Sequence, residues 1–416
     1  MTSANKISTQ LIVILIFFPC LYFPQNKITV DQNEKIKTIS QALQLANNGD
    51  EIIVNKGIYY ENNLLIDKSI RLIGKESPVI EGNKKSEIFT VNADGVSISG
   101  FTIKNAGVNY LRENAGVRLN NVQDCLIENN IFIDNFFAIY LSKSSNVVIK
   151  NNKIKANGIS ETMAGNGIHL WYSERTSIIN NEIEGHRDGI YFEFSKRCLV
   201  KNNYSKNNLR YGLHFMFSDS CSYIENTFEN NGAGVAVMYT KNISMIRNKF
   251  INNWGSASFG VLLKDLTDCL IAENTFTKNT NGLYLEGCSR ITVERNDFIQ
   301  NGWALKLMAN SQDNYFAENN FIANSFDVLT NSSQNFNLFE ENYWSNYNGY
   351  DLDKNGIGDE AYRPVKMFSV LVERQQVSMI LIHSLFTDLL DIAESVVPSL
   401  TPVNLVDKQP LMKQRL

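Results

Sequence analysis

The chain has 416 residues, and its 39 Lys and Arg against 43 Asp and Glu give a formal net charge of −4. That balance supplies no basic footprint for nucleic acid, so no nucleic-acid partner is expected. An apolar content of 44% and an aromatic content of 11% exclude a disordered chain and allow a large core.

Residues 1–25 read MTSANKISTQLIVILIFFPCLYFPQ. Lys6 precedes an apolar run over 11–18 that Pro19 interrupts, which is the shape of a signal peptide, although no A-x-A-like cleavage pattern follows. An uncleaved anchor is the alternative. No later segment is long and apolar enough to span a bilayer. Cys20 lies in this leader. The remaining Cys125, Cys198, Cys221, Cys269 and Cys288 are odd in number, which argues against a full disulfide framework.

Residues 34–90 are expected to hold a capping helix and the first coils of a solenoid. Ile39, Ala42, Leu43 and Ala46 have helical spacing and suit a lid over an open core end. From 91 to 345 the chain repeats itself. Segments such as "IENNIF", "INNEI", "IENTF", "ERNDF" and "EENYW" place Asn at 130, 152, 181, 203, 226, 248, 274, 296, 319 and 342, mostly 22 or 23 residues apart. Each interval holds short alternating strands between Asn, Gly and Ser, without helical periodicity. The expected fold is all-β: a right-handed parallel β-helix of about three strands per coil, stacked at roughly 4.8 Å. Inward Ile, Val, Leu and Phe fill the core. The repeated Asn is expected at a corner, tolerating left-handed backbone and hydrogen-bonding to its copies. Cys125, Cys198, Cys221 and Cys269 each precede such an Asn by five residues and read as an inward column.

Two intervals are longer, with surplus residues in 156–165 and 253–260, and extra residues in a solenoid become loops on one face. The strands after them align as "GIHLWYS", "GIYFEFS", "GLHFMFS" and "GVAVMYT". After the Gly, the first and third residues face in and the second and fourth face out. The outward columns are His169, Tyr191, His214 and Ala236, and beside them Trp171, Glu193, Met216 and Met238. Imidazole, thioether and carboxylate together form a ligand set for copper, the thioethers favouring Cu(I). The candidates are His214, Met216 and Met238, then Glu193 and His169, with Met163 and Trp254 on loops able to cover the metal. The other reading of the same surface is a flat contact patch for a partner. His186 is taken as a structural corner residue.

Residues 346–366 form an Asp-rich turn that closes the last coil. Asp351, Asp353, Asn355 and Asp359 fall at calcium-loop positions, but Tyr362 stands where the bidentate Glu belongs, so a tight Asx-rich turn and weak calcium binding both remain open. Residues 367–416 are expected to be a helical tail, because Met379, Ile382, Leu385, Phe386, Leu389 and Ile392 recur at helical spacing. Asp388 and Asp391 argue against a bilayer span. The tail either packs on the β-helix flank or docks on a partner.

The strings "GNGIHLWYS", "GHRDGIYFEFS", "NLRYGLHFMFS", "NGAGVAVMYT" and "YDLDKNGIGDEAYRPV" resemble the NosD family of nitrous oxide reductase maturation proteins, and the resemblance runs to the C-terminal "SLTPVNLVDKQPLM". It implies a periplasmic β-helix, held at the inner membrane by an ABC transporter permease with its ATPase. The implied cargo is copper for the centres of nitrous oxide reductase, with a copper chaperone lipoprotein as donor. It implies no enzyme. The stacked cysteines depart from what the family leads one to expect. Two rivals stand beside it. One is a scaffold that binds no metal. The other is a carbohydrate-active enzyme built on His186, Arg187, Asp188 and Asp219, for which no second acid clearly faces Asp188.

Overall fold

The computed structural model describes residues 26–158, 160–162, 164–382, 384–397, 401 and 405–415. The expected signal segment 1–25 and Met163 lie outside these residues. The described chain is a parallel β-solenoid. One strand of each coil adds to a 13-stranded sheet, and the others join a 25-stranded sheet. A strand pairs with its copy one coil away, as Leu199–Lys201 does with Ser222–Ile224 and Tyr204–Lys206 with Thr227–Glu229.

Stacking puts like on like. Phe228, Phe250, Phe276, Phe298, Phe321 and Trp344 form one internal column with ring centroids 4.1–5.6 Å apart, each contact adding about 0.5–1.5 kcal/mol beyond burial. Cys125, Cys198, Cys221, Cys269 and Cys288 are buried and unbridged.

The asparagine ladder forms, with one correction. Asn203 N–H donates to Asn226 Oδ1 at 2.9 Å, and Asn226 N–H to Asn248 Oδ1 at 3.0 Å. Each amide also donates from Nδ2 to a carbonyl of the preceding coil, as Asn226 does to Val200 at 2.9 Å. The left-handed residue, however, is the one before the ladder Asn: Asn180, Asn202, Glu225 and Arg247 have φ of 54–58°. That residue makes the corner and turns the next side chain inward, where a buried amide satisfies backbone groups that the turn leaves unpaired. A second ladder of the same kind, through Asn208, Asn231, Asn253, Asn279, Asn301 and Asn324, closes another corner.

At the N-terminal end the strand Lys27–Val30 comes before the helix and already pairs with Glu51–Val54, so the solenoid starts ahead of the expected boundary. Helix α1 (Ile39–Leu45) buries Ile39, Ala42 and Leu43. Thr38 Oγ1 accepts from Gln41 N–H at 3.2 Å, while Gln41 Oε1 accepts from Lys37 N–H at 3.0 Å, a capping arrangement that fixes where the helix begins.

The tail is helical only in part. Helix α2 (Met367–Arg374) lays Phe368 and Val372 on Trp303, Phe326 and Leu329. A 3-10 turn, Gln376–Leu381, and helix α3 (Leu385–Val396) follow. Residues 405–415 then return to the solenoid as extended chain. Asp407 and Leu411 bridge Phe339 and Tyr343 in parallel, and Asp407 Oδ2 accepts from Asn342 N–H and Nδ2 at 3.2 and 3.0 Å. Asp407 therefore continues the amide ladder by one step and caps it. Among the described residues no helix is long and apolar enough to cross a membrane.

Candidate functional site

The face under scrutiny is built by Ile168–Trp171, Asp188–Glu193, Tyr211–Met216 and Ala233–Lys241 in four successive coils. The register agrees with the alternation in the sequence. His169, Tyr191, His214 and Ala236 are Cα partners in order, and so are Trp171, Glu193, Met216 and Met238. Ile190, Phe192, Leu213 and Phe215 point into the core and are fully buried.

Facing outward does not leave the imidazoles open. His169 and His214 are 6% and 4% exposed. Coil spacing matches ring stacking, so outward aromatics close over one another. His169 lies between Tyr140 and Tyr191, with centroids at 4.5 and 4.8 Å, and its Nδ1 is 3.1 Å from Asn166 Nδ2. Burial, with the Arg187 and Arg118 charges, pushes its pKa down to about 3, so the ring is neutral. His214 packs against Tyr191 at 5.0 Å and Tyr211 at 4.7 Å. Neither of its ring nitrogens has a hydrogen-bond partner. Met216, Met238 and Glu193 are half-buried and reachable.

Glu193 is a carboxylate held toward its neutral form. Burial raises its pKa, the Glu113 charge raises it further, and His214 opposes both. Glu113 belongs to a loop, 105–114, that leans over this face: Arg118 Nη2 donates to the carbonyls of Arg112 and Glu113 at 2.7 and 2.6 Å, and Tyr110 Oη donates to Thr162 O at 2.6 Å across to the loop 156–165. The sequence reading singled out the second loop and missed the first. Below both lies a cavity of about 340 Å³ lined by Lys84, Asp134, Phe136, Asn157 and His186. His186 is 1% exposed with both ring nitrogens unpartnered, and burial lowers its pKa to about 4. Trp254 is exposed on its own loop.

Two further features go beyond the sequence reading, which weighed Asp188 only as part of a carbohydrate site with His186, Arg187 and Asp219. Asp188 is fully buried, with no hydrogen bond to either carboxylate oxygen. Its Oδ2 lies 3.4 Å from Arg187 Nε and 4.0 Å from His214 Nδ1. The other is an aromatic ladder at the corner after the methionines. Tyr172, Phe194, Phe217 and Tyr239 stack at 4.6, 5.1 and 5.1 Å, and all four hold φ between 48 and 55°. Asn121, Asp265 and Gly287 occupy the same left-handed corner elsewhere, as turn chemistry favours. Four bulky rings in a row depart from it. The signal was legible as "WYS", "EFS", "MFS" and "MYT", where turn formers belong.

The Asp-rich loop folds on itself. Asp351 Oδ2 accepts from Gly356 N–H at 2.9 Å, Asp353 Oδ1 from Asn355 N–H at 3.2 Å and Asp359 Oδ2 from Leu352 N–H at 2.7 Å. The bond from Gly356 lowers the Asp351 pKa. Among the described residues no cluster of three or more His, Cys, Asp or Glu side chains is poised to hold a metal ion.

Residues 157–349 match the family described as "Periplasmic copper-binding protein (NosD)", and residues 21–174 match a right-handed β-helix region. The chain is 24% identical over 373 residues to the probable ABC transporter binding protein NosD of Pseudomonas aeruginosa, covering 85% of this chain and 86% of that protein. It is 24% identical to the Stutzerimonas stutzeri protein of the same description, covering 85% of each. Among solved structures, the A-module of an Azotobacter vinelandii mannuronan C-5 epimerase superposes with a TM-score of 0.58 at 13% identity, covering 70% of this chain and 88% of that one. The Streptococcus pneumoniae surface adhesin PfbA gives 0.52 at 14% identity, covering 77% and 91%. An enzyme module and an adhesin share the architecture, so these likenesses carry the fold alone.

Proposed function

We propose that this chain, which is similar to the NosD family, carries copper as cargo on the face of coils 166–241 and hands it on in a periplasmic complex with an ABC transporter. The observation that carries the reading is the pairing of Met216 with Met238 across one coil step, with His214 two residues before Met216, Glu193 one coil before it, and Lys264, paired with Glu286, one coil after Met238. Two thioethers on one stacked face form a soft donor pair suited to Cu(I). The imidazole and carboxylate complete a site open on its solvent side, which lets an incoming ligand displace the protein's own. His169 is the weakest donor of the set, since its Nδ1 already faces Asn166. The recipient in this reading is nitrous oxide reductase, the donor a copper chaperone lipoprotein, and the membrane partners a permease with its ATPase. No step on this face makes or breaks a covalent bond in an organic substrate.

The tail supports the transporter half of the proposal. Val377, Ile380, Leu385, Leu389 and Val396 are all more than half exposed, and exposed apolar side chains gathered on one segment are what a docking face for the permease would use.

A second reading keeps the assembly and drops the metal. The Tyr172, Phe194, Phe217 and Tyr239 ladder favours it, since stacked rings present their edges to solvent as an apolar strip for a partner's side chains. Titration of the purified soluble protein with Cu(I) against a chromophoric chelator separates the two. One copper per chain, with sulfur and nitrogen neighbours by X-ray absorption, supports the cargo reading. No stoichiometric binding leaves the scaffold.

A further inference from the structure

We infer that Asp188 is a positioning residue for His214, holding the imidazole by Nδ1 so that Nε2 is presented to the ligand shared with Met216 and Met238. This inference rests on the copper reading for what Nε2 meets, and on the structure alone for the orientation.

The geometry has three parts. Asp188 belongs to the coil before His214, as the Cα partner of Tyr211, and its carboxylate reaches toward the imidazole across the coil step. It is fully buried, and its one charged partner besides the imidazole is Arg187, at 3.4 Å from Oδ2. A carboxylate taken out of water without hydrogen bonds is costly, so its retention calls for a role. Next, the ring nitrogen turned toward this carboxylate is Nδ1, at 4.0 Å, a gap that a small ring movement converts into a hydrogen bond. Finally, Tyr191 and Tyr211 pack against the ring at 5.0 and 4.7 Å and limit its rotation.

Further along the strand, on the same outward face, stands Glu193. His214 is thus flanked by two carboxylates of the preceding coil. Asp188 lies on the side away from the methionines, and Glu193 is the Cα partner of Met216. In this arrangement Nδ1–H donates to Asp188, which fixes the tautomer and makes Nε2 the lone-pair nitrogen. A ligating histidine is oriented by a carboxylate in this way at many metal centres, and loss of the partner lowers metal affinity 10- to 100-fold.

The test reads the orientation without metal first. Imidazole 15N spectra of the metal-free protein, with His214 assigned through His214→Ala, should show the Nδ1–H tautomer in the parent. In Asp188→Asn they should show a mixture of tautomers, and Asp188→Glu should restore part of the parent signal. Cu(I) competition then gives the consequence. Asp188→Asn weakens binding 10- to 100-fold while X-ray absorption still reports sulfur neighbours. In a His214→Ala background the same change costs nothing further, because the effect travels through the imidazole. A parent Nε2–H tautomer, a tautomer unmoved by Asp188→Asn, or an equal loss of copper in the His214→Ala background overturns the inference. If Asp188→Asn does not fold, the parent tautomer and Asp188→Glu decide. Should the tautomers behave as stated while the parent takes up no copper, Asp188 still positions His214 and it is the copper reading that falls.

Discussion

In coils 166–241 the apolar side chains face inward, buried asparagines close the corners, and even the outward histidines are covered by tyrosines. In α3 the sorting is mixed: Thr387 and Glu394 are buried and Leu390 packs on the cluster around Trp303 and Phe326, while Leu385, Leu389 and Val396 face solvent. The difference lies in what holds each region. A coil is hydrogen-bonded above and below, so its outer face can carry half-buried methionines and a buried carboxylate without changing shape. The tail attaches through few contacts, chiefly Phe368 and Val372 on Trp303, Phe326 and Leu329, and keeps apolar surface that its own body does not cover. Rigid coils suit a site that must be pre-organised, and an uncovered stripe suits a surface that is completed by a partner.

The comparison breaks most visibly at the tail. Leu385→Asp with Leu389→Asp should leave the solenoid intact and reduce co-purification with the permease at least tenfold, and an undiminished complex would remove the docking role. Truncation after Arg363 is a poorer test, because it also removes Asp407 and Leu411, which close the last coil. The coils should be the more sensitive region to a single internal change. Asn226→Ala deletes bonds to Val200 O and Asn248 Oδ1 at 2.9 and 3.0 Å and strands the Asn203 N–H. The expected loss is roughly 3 kcal/mol in urea unfolding, against well under 1 kcal/mol for Lys249→Ala, an exposed strand position.

A smaller effect marks the junction of the two regions. Burial pushes the Asp327 pKa up to about 7, the nearby Asn346 and Asn324 amides opposing it. Folded protein then binds a proton that unfolded chain has released above about pH 4, so stability falls as pH rises from there through 7. The melting temperature should drop by a few degrees between pH 6 and 8, and Asp327→Asn should flatten that slope; an unchanged slope would contradict the assignment. Least of all is expected at the loop 351–359, whose carboxylates already accept from loop amides. Its melt should shift by less than about one degree between EDTA and millimolar calcium, whereas a rise of several degrees would make it a calcium site.

The coil was legible because a repeat displays its own register: 22–23-residue intervals fixed the Asn ladder, the inward cysteines and the pairing of Met216 with Met238. Burial on the outer face was less legible, since alternation reports direction and not cover, and the tyrosines that close over His169 and His214 come from neighbouring coils. Asp188 itself was legible, but its approach to His214 was hidden for the same reason, being a contact between coils. In the tail, helical spacing located α3 but could not say which face it would bury, and the extended return of 405–415 has no periodicity to announce it.

The proposal of a copper-carrying face is tested most directly by Met216→Leu with Met238→Leu, which keeps side-chain size and removes both sulfurs. The account predicts an unchanged fold, Cu(I) affinity lowered at least 100-fold and a reductase that remains copper-poor in cells carrying the variant. If the double variant binds Cu(I) as tightly as the parent and still supports a copper-loaded reductase, the methionine pair is a contact surface and the account is wrong.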